Sequence, residues 1–309
     1  MPSPSARPPV IIGTRGSPLA LAQAALAAER IRATGLVDAV SIRSIRTAGD
    51  RNLTDRIDRI GGKGVFCREI EQALLSGEID IAVHSLKDMP VTQPPGLCVD
   101  CVLPRTDPRD ALVCRHADSI DALPDGSRIG TSSLRRRAQL LFRNRNLAPV
   151  EFRGNLDTRL NKLRSGEVDA CVLAMAGLTR LGRLDEWVRA VPIDVMLPAA
   201  AQGIIGLERR SDDARTAEIL HQANDRDTLV RSRAERSVLA ALGADCATPI
   251  GVYAELANGR ISLTAEYLRP DGSAHAVSEA AGGIEQADSL GHSLARCLLK
   301  KIASPVQAQ

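Results

Sequence analysis

Two short segments each occur twice in this chain, in the same order, and that duplication constrains the fold more than any other feature. Ile12-Gly13-Thr14 returns as Ile129-Gly130-Thr131, and Ser76-Gly77-Glu78-Ile79-Asp80 returns as Ser165-Gly166-Glu167-Val168-Asp169. Both copies of the first end an apolar run and enter a helical segment through serine. Both copies of the second lie between a helical segment and an apolar run. The pattern predicts two similar α/β lobes with alternating strands and helices, and so a largely parallel sheet covered on both faces. Ligands are then expected at the strand ends and in the cleft between lobes.

Residues 10–14 read as a first buried strand, with Ser17 as N-cap, Pro18 at the first helical position and good helix formers over 19–29. A second strand is expected at 40–45, helical spacing over 66–75 and a further strand from 79. Residues 46–64 are polar and broken by Gly61-Gly62-Lys63-Gly64, a length that reads as disorder or as a functional lid. Cys98 and Cys101 have C-x-x-C spacing within an apolar strand at 97–103. No second pair or nearby His completes a zinc site, which favours core thiols. Beyond residue 226 the pattern changes to a helix at 228–242, a loop at 243–251, strands at 252–256, 261–268 and 275–278, and a helix at 285–301. Asn258-Gly259 marks a tight hairpin in this small α+β domain, and Asp271-Gly272 another turn.

The charged residues gather where such strands end. Lys87 and Asp88 follow the apolar run of 79–83 and precede Pro90, which stops the element. Taken alone, they read first as a surface ion pair in a loop. In Gly130-Thr131-Ser132-Ser133-Leu134-Arg135-Arg136-Arg137 a strand ends in glycine, hydroxyls cap the next helix and three arginines occupy its first turns. Cations there oppose the helix dipole unless an anion compensates, which distinguishes a binding site from a solvated basic face. Arg15 follows the first strand, Lys63 sits among glycines, Arg153 precedes Gly154-Asn155, Arg159 begins a helix and Arg180 follows residues 175–179. Bases after several strands, with Asp88 the carboxylate that stands out, suit a polyanionic small molecule and one acid kept for chemistry. The G-x-x-x-x-G-K-[ST] phosphate loop is absent from the sequence. Cys246 lies in the loop of 243–251 rather than in an apolar element, where an ionised thiol can be nucleophilic.

Composition narrows the classes. A formal net charge of +3 and only 2% aromatics give neither the basic excess nor the stacking platforms of a nucleic-acid protein. The apolar run of 18–28 contains Gln23 and is too short to span a bilayer, and residues 1–9 lack the apolar core of a secretory signal. An odd count of seven scattered cysteines suggests a reduced, cytoplasmic setting.

Nine stretches then match one family in order: 14–20, 61–66, 84–90, 107–110, 130–136, 153–160, 176–182, Gln202-Gly203 and Cys246 ahead of Pro249-Ile250-Gly251. On these the chain resembles the porphobilinogen deaminases, or hydroxymethylbilane synthases, over essentially its whole length. The resemblance implies two periplasmic-binding-protein-like doubly wound α/β lobes, residues 1–103 with 203–221 and residues 104–202. A C-terminal α+β domain, 226–309, is implied to carry the cofactor cysteine. It implies a dipyrromethane cofactor held by a thioether to Cys246, Asp88 as the catalytic acid, and Arg15, Ser17, Lys63, Lys87, Ser133, Arg135, Arg136, Arg153, Arg159 and Arg180 as cofactor and substrate ligands. The implied partners are porphobilinogen and the growing linear polypyrroles, with no metal, nucleic acid or membrane, in a cytoplasmic monomer. Ala244 and Asp245 stand where the family usually has two glycines, and Arg59 where it often has lysine. A non-catalytic two-lobed protein for small anions is the competing reading; it needs neither the loop cysteine nor the lysine–aspartate pair.

Overall fold

The computed structural model describes residues 7–47, 67–244 and 248–303. The chain runs through β1 (Val10–Arg15), α1 (Pro18–Arg32), β2 (Val40–Ile45), α2 (Arg68–Leu75), β3 (Ile81–Ser85) and β4 (Leu97–Val102). It continues with β5 (Asp110–Cys114), β6 (Arg128–Gly130), α3 (Leu134–Arg143), β7 (Ala148–Val150), α4 (Leu156–Arg164), β8 (Ala170–Ala174), α5 (Met175–Arg180) and β9 (Val188–Ala190). Then follow β10 (Ile205–Arg210), α6 (Ala214–Ala223), α7 (Arg226–Leu242), β11 (Ile250–Ala257), β12 (Arg260–Leu268), β13 (His275–Gly283) and α8 (Ala287–Ala303). Two compact units result, Met1–Arg105 with Ile204–Leu229, and Thr106–Gly203 with Val230–Gln309.

The first unit holds a five-stranded sheet in the order β2-β1-β3-β10-β4. Strands β1, β2 and β3 are mutually parallel, and β10 runs antiparallel between β3 and β4. The second unit repeats the order as β7-β6-β8-β5-β9, with β5 the antiparallel strand. Each sheet is therefore parallel but for one strand, and in the first that strand arrives from residues after the whole second sheet.

The duplicated sequences explain the likeness. In both copies of Ser-Gly-Glu-Ile/Val-Asp the helix stops at serine and the glycine takes a left-handed turn, with φ of +75° at Gly77 and +78° at Gly166. The aspartate then clasps the start of the neighbouring strand. Asp80 accepts from Ile11 N at 2.8 Å through Oδ2 and donates from its own N to Ile11 O at 2.9 Å. Asp169 does the same to Arg128, at 2.7 and 2.9 Å. Ile79 and Asp80 are thus spent on this junction, which is why β3 begins at Ile81 rather than at 79.

Helix α1 starts as its sequence dictates, with Ser17 Oγ accepting from Ala20 N at 3.3 Å and Pro18 at the first position. Its alanines at 24, 27 and 28 are buried with Ile31 against Val10, Ile12, Ile81 and Val83, small side chains that let helix and sheet approach closely. In the second unit β11, β12 and β13 form an antiparallel meander whose apolar face packs with Ala234 and Val238 of α7 and Leu294 and Leu298 of α8. Asn258 and Gly259 have φ of +51° and +71°, the pair of left-handed residues that a two-residue hairpin requires. Strand β13 extends to Gly283, five residues past its expected end. Its Ala280-Ala281-Gly282-Gly283 tail carries little apolar signal but stays in register with β12, Arg260 opposite Gly283.

Candidate active site

In the first unit the site is built on the carboxyl ends of two adjacent parallel strands. Arg15 is the last residue of β1, and Ser17 caps the helix that leaves it. Strand β3 ends at Ser85 and passes into a 3-10 turn, Leu86–Asp88. That turn is pinned from inside: Leu86 is buried and donates its N–H to Ile204 O at 3.0 Å, and Met89 N closes the turn on Leu86 O at 3.2 Å. Anchoring at Leu86 leaves Lys87 half-buried and Asp88 exposed. Arg15, Ser17, Gln23, Cys67, His84 and Asp88 line one cavity that opens to solvent. Of the residues expected from the sequence, the structure gathers Arg15, Ser17 and Asp88 here, while Lys87 does not line the cavity.

In the second unit the bases follow three adjacent parallel strands, β6, β7 and β8. Ser133 caps α3, accepting from Arg136 N at 3.4 Å. Arg153 lies beyond β7 and bonds Glu151 at 2.6 Å, and half-buried Arg159 sits in the first turns of α4, capped by Asn155. Arg180 ends α5, the helix after β8. It donates to Thr106 Oγ1 at 3.0 Å and Gly203 O at 2.6 Å, and among the described residues its Nε has no hydrogen-bond partner. No carboxylate pairs with it there, and burial pulls its pKa down to about 10. A half-buried guanidinium in this state is short of an anion.

Arg135 and Arg136 are placed differently from the expectation of ligand-gripping side chains. They are 4% and 6% exposed, and both bond to Asp110, which is wholly buried at the start of β5. Arg135 Nη2 lies 2.8 Å from Asp110 Oδ2, and Arg136 reaches Oδ1 with Nε at 3.0 Å and Nη2 at 2.7 Å. Gln202 Nε2 donates to the same Oδ1 at 2.9 Å, and Leu197 O and Val172 O accept from Arg135 and Arg136. The anion that cations at a helix start require is thus supplied from within the chain.

A second buried acid lies in the first unit. Glu208 of β10 is fully buried, and its Oε2 is 3.1 Å from His84 Nε2. The other ring nitrogen, Nδ1, is 3.8 Å from Cys67 Sγ. Burial works against charge on His84, but its bonds to Cys67 and Glu208 outweigh that and raise its pKa to about 10. Sequence reasoning gave no role to Asp110, Gln202, His84 or Glu208. The available signal was an acid beside or inside an apolar strand, Asp110 before 111–114 and Glu208 after 204–207, since a buried charge demands a partner. Lys63 and Cys246 lie outside the described residues. Of the C-x-x-C pair, Cys101 is buried and Cys98 half-buried, and no cluster of metal-ligating side chains occurs among the described residues.

Two α/β sheets of one strand order, with cations after their parallel strands and an acid in a cavity of the first, define a doubled α/β protein. The chain belongs to the porphobilinogen deaminase family. Residues 10–218 match its "dipyromethane cofactor binding domain" and residues 229–300 its "C-terminal domain". A porphobilinogen deaminase of Paracoccus denitrificans is 54% identical over 297 residues, covering 96% of this chain and 94% of that protein. Among solved structures, the methionine-binding protein MetQ matches at TM-score 0.44 and 13% identity, over 71% of this chain and 91% of that one. The Bordetella pertussis BvgS periplasmic VFT2 domain matches at 0.42 and 17%, over 72% and 91%.

Proposed function

We propose that this protein is a deaminating transferase that joins four porphobilinogen molecules head to tail on a dipyrromethane primer and then releases linear hydroxymethylbilane by hydrolysis. The observation that carries the reading is the placement of Asp88, the carboxylate of a cavity it shares with Arg15 and Ser17 at the ends of two adjacent parallel strands. Each pyrrole of the substrate carries two carboxylates, so the growing chain is a polyanion. Half-buried Arg180, with Nε unpartnered among the described residues, fits such a ligand, as do the bases that follow β1, β6, β7 and β8.

The dipyrromethane, when bound, supplies the pyrrole to which the first unit is added, and Cys246 is the residue proposed to hold it. Arg15, Ser17, Lys63, Lys87, Ser133, Arg153, Arg159 and Arg180 bind and orient substrate carboxylates; Arg135 and Arg136 contribute by fixing the start of α3 through Asp110. Departure of ammonia leaves a cationic methylene-pyrrole. The Asp88 carboxylate stabilises that charge by accepting a hydrogen bond from the pyrrole N–H; the α-carbon of the acceptor pyrrole then bonds to the methylene carbon and gives up its proton. Charge placed in advance against a developing ion is commonly the largest catalytic contribution. The same reading takes three domains with the bounds given above and a cytoplasmic monomer, the latter open to a solution mass measurement.

The test is paired. The purified chain is expected to be heavier than its sequence by a dipyrromethane, and Cys246→Ser to remove the increment. Asp88→Ala is expected to keep its melting temperature while turnover falls by about 10²–10⁴-fold. Near-normal turnover in Asp88→Ala, or full activity at unmodified mass, overturns the reading.

A further inference from the structure

Glu208, His84 and Cys67 come from three elements, β10, β3 and the residue preceding α2, yet form one hydrogen-bonded row ending at the wall of the Asp88 cavity. Their order is chemically directional. A carboxylate only accepts hydrogen bonds, so the Glu208 contact fixes a proton of His84 on Nε2. The other ring nitrogen, Nδ1, faces the sulfur of Cys67. Among the described residues Glu208 Oε1 has no hydrogen-bond partner, so compensation of this buried charge falls to the imidazole. An acid that orients an imidazole against a thiol is the arrangement that makes a weak nucleophile reactive.

We propose that Cys67, with His84 as its base and Glu208 as the positioning acid, is a nucleophilic thiol that captures small, soft carbon electrophiles entering the Asp88 cavity. The thiol proton is held on His84 Nδ1, the sulfur forms a bond to the electrophilic carbon, and the leaving group departs with its electron pair. The resulting imidazolium is balanced by Glu208. The ionisable groups facing this row are Glu71 on α2 and Asp88 and Arg15 at the cavity. None of the other described cysteines has an imidazole partner. Burial pushes Cys101 and Cys171 up to about 12, and burial, with Asp100, raises Cys98. Exposed Cys297 therefore serves as an internal reference for an unassisted thiol.

The experiment treats the full chain with iodoacetamide and follows each cysteine peptide by mass; at Cys67 the S–C bond forms as iodide leaves. Although only 3% exposed, Cys67 is expected to react about tenfold faster than Cys297, a fraction of what a positioned general base supplies. Labelling of Cys67 no faster than Cys297 in the wild-type chain overturns the proposal, whatever the variants do. His84→Gln is expected to bring Cys67 to or below the Cys297 rate, and an unchanged rate refutes the role of the imidazole. Protection of Cys101 and Cys171 reports whether that variant is folded, and Glu208→Gln, expected to slow Cys67 several-fold, repeats the test through the other partner. Loss of turnover in step with Cys67 labelling is a separate consequence that rests on the proposed function, and its failure leaves the labelling result standing.

Discussion

Each of the two α/β sheets carries a buried acid on its one antiparallel strand, and the two acids are neutralised in different ways. Asp110 of the second sheet is held by two guanidinium groups and an amide. Glu208 of the first is held by a single imidazole that also touches a thiol. Guanidinium keeps its proton at any pH a protein survives, so the second arrangement is a fixed lock. Imidazole can lose its proton and pass it on, so the first is open to titration and to chemistry. The sheet whose acid is held by the changeable partner is also the one that presents Asp88.

The largest effect should come from breaking the lock. Asp110→Ala leaves two buried guanidinium groups without their carboxylate, a loss of about 3–5 kcal/mol. An unfolding free energy from urea titration lowered by less than a third of that would mean the arginines find other partners and the contrast is overstated. Next comes pH. The pKa of His84 is raised from 6.5 to about 10 by the bonds that overcome its burial. Its pairing with Glu208 therefore contributes fully below the unfolded value and is lost as pH rises through the folded one. Stability should fall between neutral pH and about 10, and His84→Gln should flatten that slope while Arg136→Gln leaves it in place. The smallest contrast is steric. A Cβ added at Gly130 would lie 2.5–2.8 Å from the Phe152 ring, itself 1% exposed and unable to turn aside. At the matching Gly13 it would meet the tip of Ile79 at 2.3 Å, the end of a flexible side chain that yields more readily than a ring, though Ile79 too is buried. Gly130→Ala should cost about 1–3 kcal/mol and Gly13→Ala about 1; equal shifts in midpoint would show that the two sheets tolerate crowding alike.

Local grammar was readable in the sequence because its causes are local. Ser17 and Ser133 cap their helices, Asn258-Gly259 turns its hairpin, and Lys87 and Asp88 sit just past a strand end, as residue types and spacing imply. The duplicated pentapeptides also announced matching junctions, and both copies make the same two bonds to a neighbouring strand. What the sequence hid was pairing at long range. Three arginines at a helix start called for an anion, and a ligand was the natural candidate. The carboxylate that meets two of them lies 26 residues before Arg136, on a strand running the opposite way. His84 and Glu208 are separated by 124 residues, and nothing near either one marks the other.

The interleaving of β10 has a consequence for biosynthesis. This strand fills the gap between β3 and β4, yet every strand of the other sheet is encoded ahead of it. As the polypeptide leaves the ribosome, β5 through β9 can assemble while β3 and β4 still show bare backbone to any passing partner. Of the two α/β sheets, the one begun first is thus the one completed last, and its vulnerable interval ends only when the stretch around Leu207 emerges.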